Sequence, residues 1–351
     1  MNFYTSSYTE HVGPGLSGNG IGIQYFNINP TTSKITLLES YETINPGYFA
    51  LNPKEELLYT FQERQQNLAP KLLCFKTDQG KLELLQSLEI NGGLPCHILH
   101  LKKYNCLMVS CYETGNFLKY DLDENGIPLP FSQNIKYTGG SINQERQEGP
   151  HAHLSYYDKA HDLLLLVDLG NDKIYSLKYQ NNQFVQTNEV SVPAGGGPRH
   201  LIQHPNSNYC FVSNEMTGEV SLLKWQNNAW QWIKNVSIMT QDHNNVASAS
   251  AIKLSICGRF IYCGVRSTNS ISILKFDPDT EALNLIEEVP TQGITPRDFE
   301  ISPDGKLLIV GNQDSESLVV FSVCEDSGML EVVEKVDGVR SVCCVGFGGS
   351  F

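Results

Sequence analysis

A repeated segment that runs from end to end constrains the fold of this chain more than any other feature. Each copy is a short extended segment, a turn and a second, strongly apolar segment, and five copies are introduced by a proline: Pro46, Pro95, Pro150, Pro198 and Pro296. These starts lie about 45 to 55 residues apart, or twice that, and two starts without proline keep the same rhythm, near Ser248 and Ser341. Self-similarity at such a period indicates a solenoid or a propeller.

The fourth repeat shows the pattern of one unit. A first strand is predicted over Pro198–Pro205, a second over Tyr209–Glu215, a third over Glu219–Trp225 and a fourth over Trp230–Ser237, with turns rich in Asn and Gly between them. Residues 296–336 repeat this order. Four short antiparallel strands joined by such turns are typical of a propeller blade.

The number of first strands predicts the architecture of the whole chain. They are expected near residues 47, 95, 150, 198, 249, 296 and 341, which makes seven. The chain starts with what resembles a second strand at Phe3–Thr9 and finishes with a lone first strand at Ser341–Phe347. We therefore predict an all-β, seven-bladed β-propeller that occupies residues 1–351 as a single domain. Its C-terminal strand completes the N-terminal blade and removes the free sheet edges.

Composition limits the partners and the compartment. The net charge of −13 disfavours a nucleic-acid or anionic-membrane partner, since either needs a basic face. No basic and apolar leader follows Met1, so a cytoplasmic protein is expected. Five of the ten cysteines, Cys74, Cys106, Cys210, Cys263 and Cys324, fall within apolar strand patterns and are interpreted as reduced core residues. No metal site and no cofactor are expected, and the absence of a CxxC spacing disfavours a zinc site in particular.

Charged residues recur at equivalent places in the repeats. In a propeller, the start of the innermost first strand and the end of the antiparallel second strand lie on the same face. One predicted set is therefore the strand starts: His97, His151, Arg199–His200 and Arg297. The other set is the strand ends: Gln62–Glu63, Asn214–Glu215, Val265–Arg266 and Asn312–Gln313. Positive and titratable groups beside carboxylates around a funnel predict an anion-binding pocket with acid–base capacity.

Two questions about these residues stay open at this stage. The polar side chains at the mouth either bind substrate or only hydrogen-bond neighbouring carbonyls and join the blades. His153 is expected on the same face as His151 but deeper in the channel. Arg146 and Glu148, in the loop 144–148, either cover the mouth or face solvent.

Several short segments carry distinctive motifs: Gly139–Ser141, Arg146–Gln147, Pro150–His153, Gly196–His200, Asn214–Glu215, Pro296–Phe299 and Ile301–Ser315. With these motifs the chain resembles the seven-bladed lactonase family, which includes the propeller-type 6-phosphogluconolactonases and the fungal 3-carboxy-cis,cis-muconate lactonizing enzyme. The resemblance covers essentially the whole chain. The fifth repeat departs from the family at Ala251, Ser255–Gly258 and Val265, and substrate choice is expected to differ there.

The resemblance implies a metal-free activity that opens or forms a lactone. The first hypothesis is hydrolysis of a small anionic substrate, 6-phospho-D-glucono-1,5-lactone. In it His151 or Glu215 is the base, and Arg199 stabilises the oxyanion. Arg266 and Arg297 grip the anion, with His200 and His97 beside it. The alternatives are a muconate-type cycloisomerase in the same pocket, with a carboxylate substrate, and a non-enzymatic propeller scaffold that binds a protein partner.

Overall fold

Thirty strands form almost all of the regular structure in the computed structural model, which describes residues 1–13, 15–54, 56–206, 208–240 and 247–348. The chain opens with β1 (Asn2–Ser7), the short hairpin β2 (His11–Gly13) and β3 (Leu16–Ser17), and then β4 (Gly22–Ile28) and β5 (Ile35–Glu42). Helix in the described ranges is limited to two 3-10 turns, Gln66–Leu68 and Lys102–Tyr104.

Six four-stranded blades follow, each from consecutive strands. Blade 1 consists of β6 (Phe49–Leu51), β7 (Leu57–Phe61), β8 (Lys71–Asp78) and β9 (Lys81–Glu89). Blade 2 consists of β10 (Pro95–Leu101), β11 (Cys106–Cys111), β12 (Asn116–Leu122) and β13 (Pro128–Lys136). Blade 3 consists of β14 (Ala152–Asp158), β15 (Leu163–Asp168), β16 (Lys173–Gln180) and β17 (Gln183–Ser191).

The second half of the chain repeats this order. Blade 4 consists of β18 (Pro198–Gln203), β19 (Tyr209–Asn214), β20 (Glu219–Gln226) and β21 (Ala229–Ser237). Blade 5 consists of β22 (Ala249–Leu254), β23 (Phe260–Val265), β24 (Ser270–Asp277) and β25 (Ala282–Pro290). Blade 6 consists of β26 (Pro296–Ile301), β27 (Leu307–Asn312), β28 (Ser317–Val323) and β29 (Leu330–Asp337), and β30 (Val342–Phe347) follows it.

The seventh blade joins the two ends of the chain, as predicted. Its strand order is β30-β1-β4-β5, so β30 pairs antiparallel with β1, with Phe3 opposite Phe347. This pairing closes the ring and covers the edge of β1 that would otherwise be unpaired. The predicted seven-bladed, all-β propeller is thereby confirmed.

The core lies between the blades rather than within them. Every residue of β11, β15, β19, β23 and β27 is buried, because these second strands are covered on both faces by neighbouring blades. One such cluster packs Phe61 of blade 1 against Val109 and Leu118 of blade 2. A strand that is covered on both faces has to be apolar on both, which explains runs such as Leu163–Val167.

Turn residues explain why the strands end where they do. Asn227 and Asn228 have φ values of 52° and 61° and connect β20 to β21. Two successive positive φ angles are typical of a type I′ hairpin turn, in which Asn is favoured. In blade 6, Gly305 has a φ of 72°, and Asp304 accepts a hydrogen bond from the Lys306 amide.

The cysteine prediction is wrong at one position. All ten cysteines lie among the described residues and each is a free thiol. Cys74, Cys106, Cys210 and Cys263 are buried as expected, but Cys324 is exposed. It follows the last residue of β28 and lies in the turn before β29, so the apolar pattern of the strand ended one residue earlier than the sequence indicated.

Candidate active site

The two predicted sets of polar residues lie on one face of the ring. Pro198 at the start of β18 is directly opposite Asn214 at the end of β19, and Pro296 is opposite Asn312 in the same way. Ala249 faces Val265 in blade 5. The residues that follow each second strand, including Glu215 and Arg266, are therefore beside the starts of the inner strands.

A β-bulge recurs in the inner strand of six blades, directly after the first paired residue. The register shifts lie between Pro95 and His97, Ala152 and Leu154, Pro198 and His200, Ala249 and Ile252, Pro296 and Asp298, and Val342 and Cys344. A bulge adds an unpaired residue and re-aims side chains. As a result, the consecutive residues Arg199 and His200 both line the channel cavity, as do Arg297 and Asp298.

In blade 3, the residue at the position of Pro198 is Ala152, two residues after Pro150, which the sequence had predicted for that position. Ala152 is opposite Asp168, which is the pairing that Pro198 makes with Asn214. His153 therefore occupies the bulge position that Arg199 has in blade 4, and His151 precedes the strand. The predicted equivalence of Pro150 and Pro198 is therefore wrong, because strand pairing rather than proline spacing defines equivalent positions.

Glu215 is the electrostatic centre of the mouth. Its carboxylate lies 2.7 Å from Arg146 Nη2, 2.9 Å from Arg266 Nη2 and 3.2 Å from Arg199 Nε. Burial alone would raise the pKa of Glu215, but the charges of Arg266, Arg199 and Arg146 lower it far below its ordinary value. Glu215 is therefore an ionised carboxylate and a weak proton acceptor.

Arg199 keeps binding capacity despite this ion pair. Its Nε is close to Glu215 but not aligned for a hydrogen bond, and neither Nε nor the buried Nη1 finds a hydrogen-bond partner within the described ranges. Burial and the positive charge of Arg266 lower the pKa of Arg199 to about 10, so it remains cationic at neutral pH. A buried N–H without a partner is costly and marks a place where a ligand acceptor would be favourable.

Glu63 is a second carboxylate of the same cavity, in a different environment. Tyr8 Oη donates a hydrogen bond of 2.9 Å to Glu63 Oε2, and the Arg297 guanidinium lies over the Tyr8 ring at 5.0 Å. Burial raises the pKa of Glu63, and the charge of Arg297 and the Tyr8 hydrogen bond offset only part of that rise. The sequence placed Glu63 at the mouth but assigned it no role.

His151 lies at the rim. Its Nδ1 donates to the Tyr112 carbonyl at 2.9 Å, and its Nε2 is 3.3 Å from a carboxylate oxygen of Glu148. The ring stacks on Tyr112 at 4.4 Å. The Tyr112 hydroxyl accepts from Arg146, so the loop 144–148 contacts the mouth through Arg146 and Glu148, and both side chains are also partly exposed to solvent.

Three histidines form the channel wall below Arg199. The ring of His200 is 5.3 Å from that of His153 and 6.1 Å from that of His97. Burial lowers the pKa of all three, that of His97 to about 3, so they are neutral at physiological pH. Below them, Lys253 Nζ pairs with Glu300 at 2.6 Å.

The side chains enclose a cavity of about 10 Å³, which is room for about one water molecule. Its wall includes Tyr8, Glu63, His153, Arg199, Arg297 and Asp298. The cavity is thus lined by both signs of charge.

Among the described residues, no group of three or more His, Cys, Asp or Glu side chains is arranged to hold a metal ion. In the same ranges, no helix is long and apolar enough to cross a membrane.

Comparison with known proteins identifies similar chains over the full length of the propeller. Residues 2–347 match the model of the family described as lactonase, 7-bladed beta-propeller. The 6-phosphogluconolactonase of Bacillus subtilis (strain 168) is 29% identical over 97% of this chain and 99% of its own length. The 6-phosphogluconolactonase of Formosa agariphila is 31% identical over 89% and 91%.

A solved structure shows the same architecture. The crystal structure of a Bacteroides fragilis NCTC 9343 protein, proposed to be a 6-phosphogluconolactonase, has a TM-score of 0.88 and 26% sequence identity to this chain. The similarity covers 98% of this chain and 97% of that protein.

Proposed function

The chain belongs to the seven-bladed β-propeller lactonase family, and on that basis we propose that it hydrolyses a phosphorylated sugar lactone, 6-phospho-D-glucono-1,5-lactone, at the arginine-lined mouth of its channel. The named relatives support this choice, since two of them are 6-phosphogluconolactonases. The observation that carries the proposal is the cluster of Arg146, Arg199 and Arg266 on a single carboxylate.

The arginine cluster explains how a protein of net charge −13 attracts an anion. The three guanidiniums and the Glu215 carboxylate together carry a net charge of +2, and Arg297 adds a further positive charge in the same cavity. Guanidinium groups bind phosphate and carboxylate oxygens through paired, charge-assisted hydrogen bonds. We assign the grip on the phosphate to Arg266 and Arg297.

Substrate binding requires that the mouth opens. A phosphorylated sugar lactone is far larger than a cavity of about 10 Å³. The side chain of Arg146 is 46% exposed, whereas those of Arg199 and Glu215 are 5% and 9% exposed. Arg146 is therefore the arginine that moves aside, and the lactone then lies above the cavity with His200 and His97 on the channel wall below it.

Ester opening needs an oxyanion donor and proton transfer to the leaving oxygen. The unpartnered N–H groups of Arg199 suit the oxyanion. His151, whose Nδ1–H is held by the Tyr112 carbonyl and whose Nε2 faces the Glu148 carboxylate at the rim, is assigned proton transfer to and from the sugar hydroxyl. Glu215 was the other candidate base. Its three arginine contacts favour a different role, which is to hold these guanidiniums in place.

The test is hydrolysis of freshly prepared lactone by the purified protein, followed by acid release above the spontaneous rate. Unphosphorylated glucono-1,5-lactone serves as the matched substrate, and we expect a much lower kcat/KM for it because it has no phosphate for the arginines. No acceleration with either lactone would refute the proposal. Loss of ultraviolet absorbance from 3-carboxymuconate, without lactone hydrolysis, would replace it with the cycloisomerase.

A further inference from the structure

Glu63 is a buried carboxylate that faces the cavity from the end of the second strand of blade 1. Its exposure is 5%, and its backbone amide donates to the Asn45 carbonyl at 2.8 Å. We propose that Glu63 is a catalytic residue of this site, the base that takes a proton from the hydrolytic water held in the cavity. This inference rests on the proposed lactone hydrolysis.

The position of the Glu63 carboxylate is fixed by its surroundings. Tyr8 Oη donates to Oε2, and a Cβ atom at Gly47 would lie only 1.9 Å from the same oxygen. The Asn45 side-chain amide also donates to the Glu63 carbonyl at 3.3 Å. Only glycine at position 47 leaves room for this placement, so the backbone itself is adapted to the carboxylate.

The cavity beside Glu63 matches a water molecule in size and in polarity. It has room for about one water, which needs two to four polar partners. Polar atoms of three lining residues are buried and find no hydrogen-bond partner among the described residues: Arg199 Nη1, His153 Nδ1 and Asp298 Oδ1. These atoms and the Glu63 carboxylate supply both donors and acceptors to one small space.

Two other carboxylates are less suited to the role. Glu215 is ionised and engaged by three arginines, and its pKa is far below the range in which it would accept a proton from water. Asp298 Oδ2 accepts the Val345 amide at 3.0 Å, which ties it to the closing strand. Burial raises the pKa of Glu63 toward the working pH, where a general base is most effective.

The proposed step is a balanced addition and elimination. The water oxygen forms a bond to the lactone carbonyl carbon while one water proton passes to Glu63, and the carbonyl electron pair moves to the oxygen held by Arg199. That pair then returns, the bond between this carbon and the ring oxygen breaks, and the ring oxygen takes a proton through His151. The product acid ionises and releases one proton, and Glu63 returns its own proton to solvent.

The experiment compares the pH profile of lactone hydrolysis in the wild type and in Glu63→Gln. We expect kcat to fall by roughly 10²- to 10³-fold in the variant, with a smaller change in KM, and the acidic limb of the profile to disappear. Tyr8→Phe keeps the base but removes a hydrogen bond that stabilises its charged form, so the acidic limb should move to higher pH. Arg297, Arg199, Cys96 and Cys343 also face Glu63 and stay unchanged in both variants.

Glu189→Gln is the matched control, because it makes the same chemical change on the outer strand β17, where Glu189 pairs with Lys173. Its profile should equal that of the wild type. Retention of the acidic limb in folded Glu63→Gln, or an unmoved limb in Tyr8→Phe, would overturn the inference. If Glu63→Gln does not fold, the Tyr8→Phe shift decides alone. Failure of the proposed function is distinct, since the wild type itself would then be inactive.

Discussion

Glu215→Gln removes one negative charge from beneath three guanidiniums. Glutamine keeps the shape of the side chain, and its carbonyl oxygen can still accept hydrogen bonds. The groups left behind are Arg146, Arg199 and Arg266, which lie 2.7 to 3.2 Å from the carboxylate in the wild type. Without that charge they repel one another in a site where Arg199 and residue 215 are buried.

The cost follows from Coulomb's law and from the burial. At an effective dielectric constant of about 20, unit charges about 3 Å apart attract by roughly 5 to 6 kcal/mol, and desolvation offsets a large part of each attraction. Removal of one partner of a buried ion pair usually costs about 3 to 5 kcal/mol. At about 2.1 cal/mol/K per residue, 351 residues give an unfolding entropy of roughly 0.7 kcal/mol/K, so Tm should fall by about 4 to 7 °C.

The pH dependence has a definite sign. The pKa of Glu215 is lower in the folded than in the unfolded chain, so its ionisation stabilises the fold fully above the unfolded value of about 4.3 and less as pH falls below it. Thermal unfolding of wild type and variant should therefore differ most near pH 7 and converge as the pH is lowered below about 4.

The control and the double variant separate this effect from a general one. Glu189→Gln breaks a more exposed pair with Lys173 and should change the free energy of unfolding by at most about 1 kcal/mol. Adding Arg266→Gln to Glu215→Gln removes one of the repelling charges, so the double variant should be less destabilised than the sum of its single changes. A Glu215→Gln protein as stable as the control would refute the reasoning.

Three shorter predictions follow from the same geometry. Arg199→Lys keeps the charge but loses the planar donor fork, and steady-state kinetics should show a kcat lower by roughly 10²-fold; wild-type turnover would exclude Arg199 as the oxyanion donor. His151→Gln should lower kcat by a similar factor, because glutamine cannot transfer the proton; a lower Tm with full turnover would mean a blade-joining role. Deletion of residues 341–351 removes β30 and exposes the edge of β1, so the product should be insoluble or unfold non-cooperatively in a thermal melt; a soluble product with the wild-type melt would contradict ring closure by β30.

The fold could be predicted because its signals are local and repeated. The Asn227–Asn228 turn and the Gly305 turn each specify a hairpin, and the buried second strands carry unbroken apolar runs. The predicted second and third strands of the sixth repeat, Leu307–Asn312 and Ser317–Val323, have the bounds found in the structure. A closed ring then follows from the number of units.

The site was only partly predictable, because its details depend on register and on non-local contacts. Pro150 lies two residues before Ala152, which has the pairing position of Pro198, so the bulge position of His153 could not be read from the proline. The ion pair of Arg146 with Glu215 joins positions 69 residues apart. The different environments of Glu63 and Glu215 arise from which arginines reach each carboxylate, and sequence spacing does not contain that information.

The closure of the ring also determines when the site can exist during synthesis. Tyr8 follows β1, Arg297 belongs to blade 6 and Cys343 belongs to β30, and all three line the same cavity. On a ribosome, Tyr8 and Glu63 emerge long before the residues that complete their surroundings. A nascent chain therefore carries the Glu63 carboxylate without Arg297 and β1 without β30, and the wall of the cavity is complete only once residue 343 has been made.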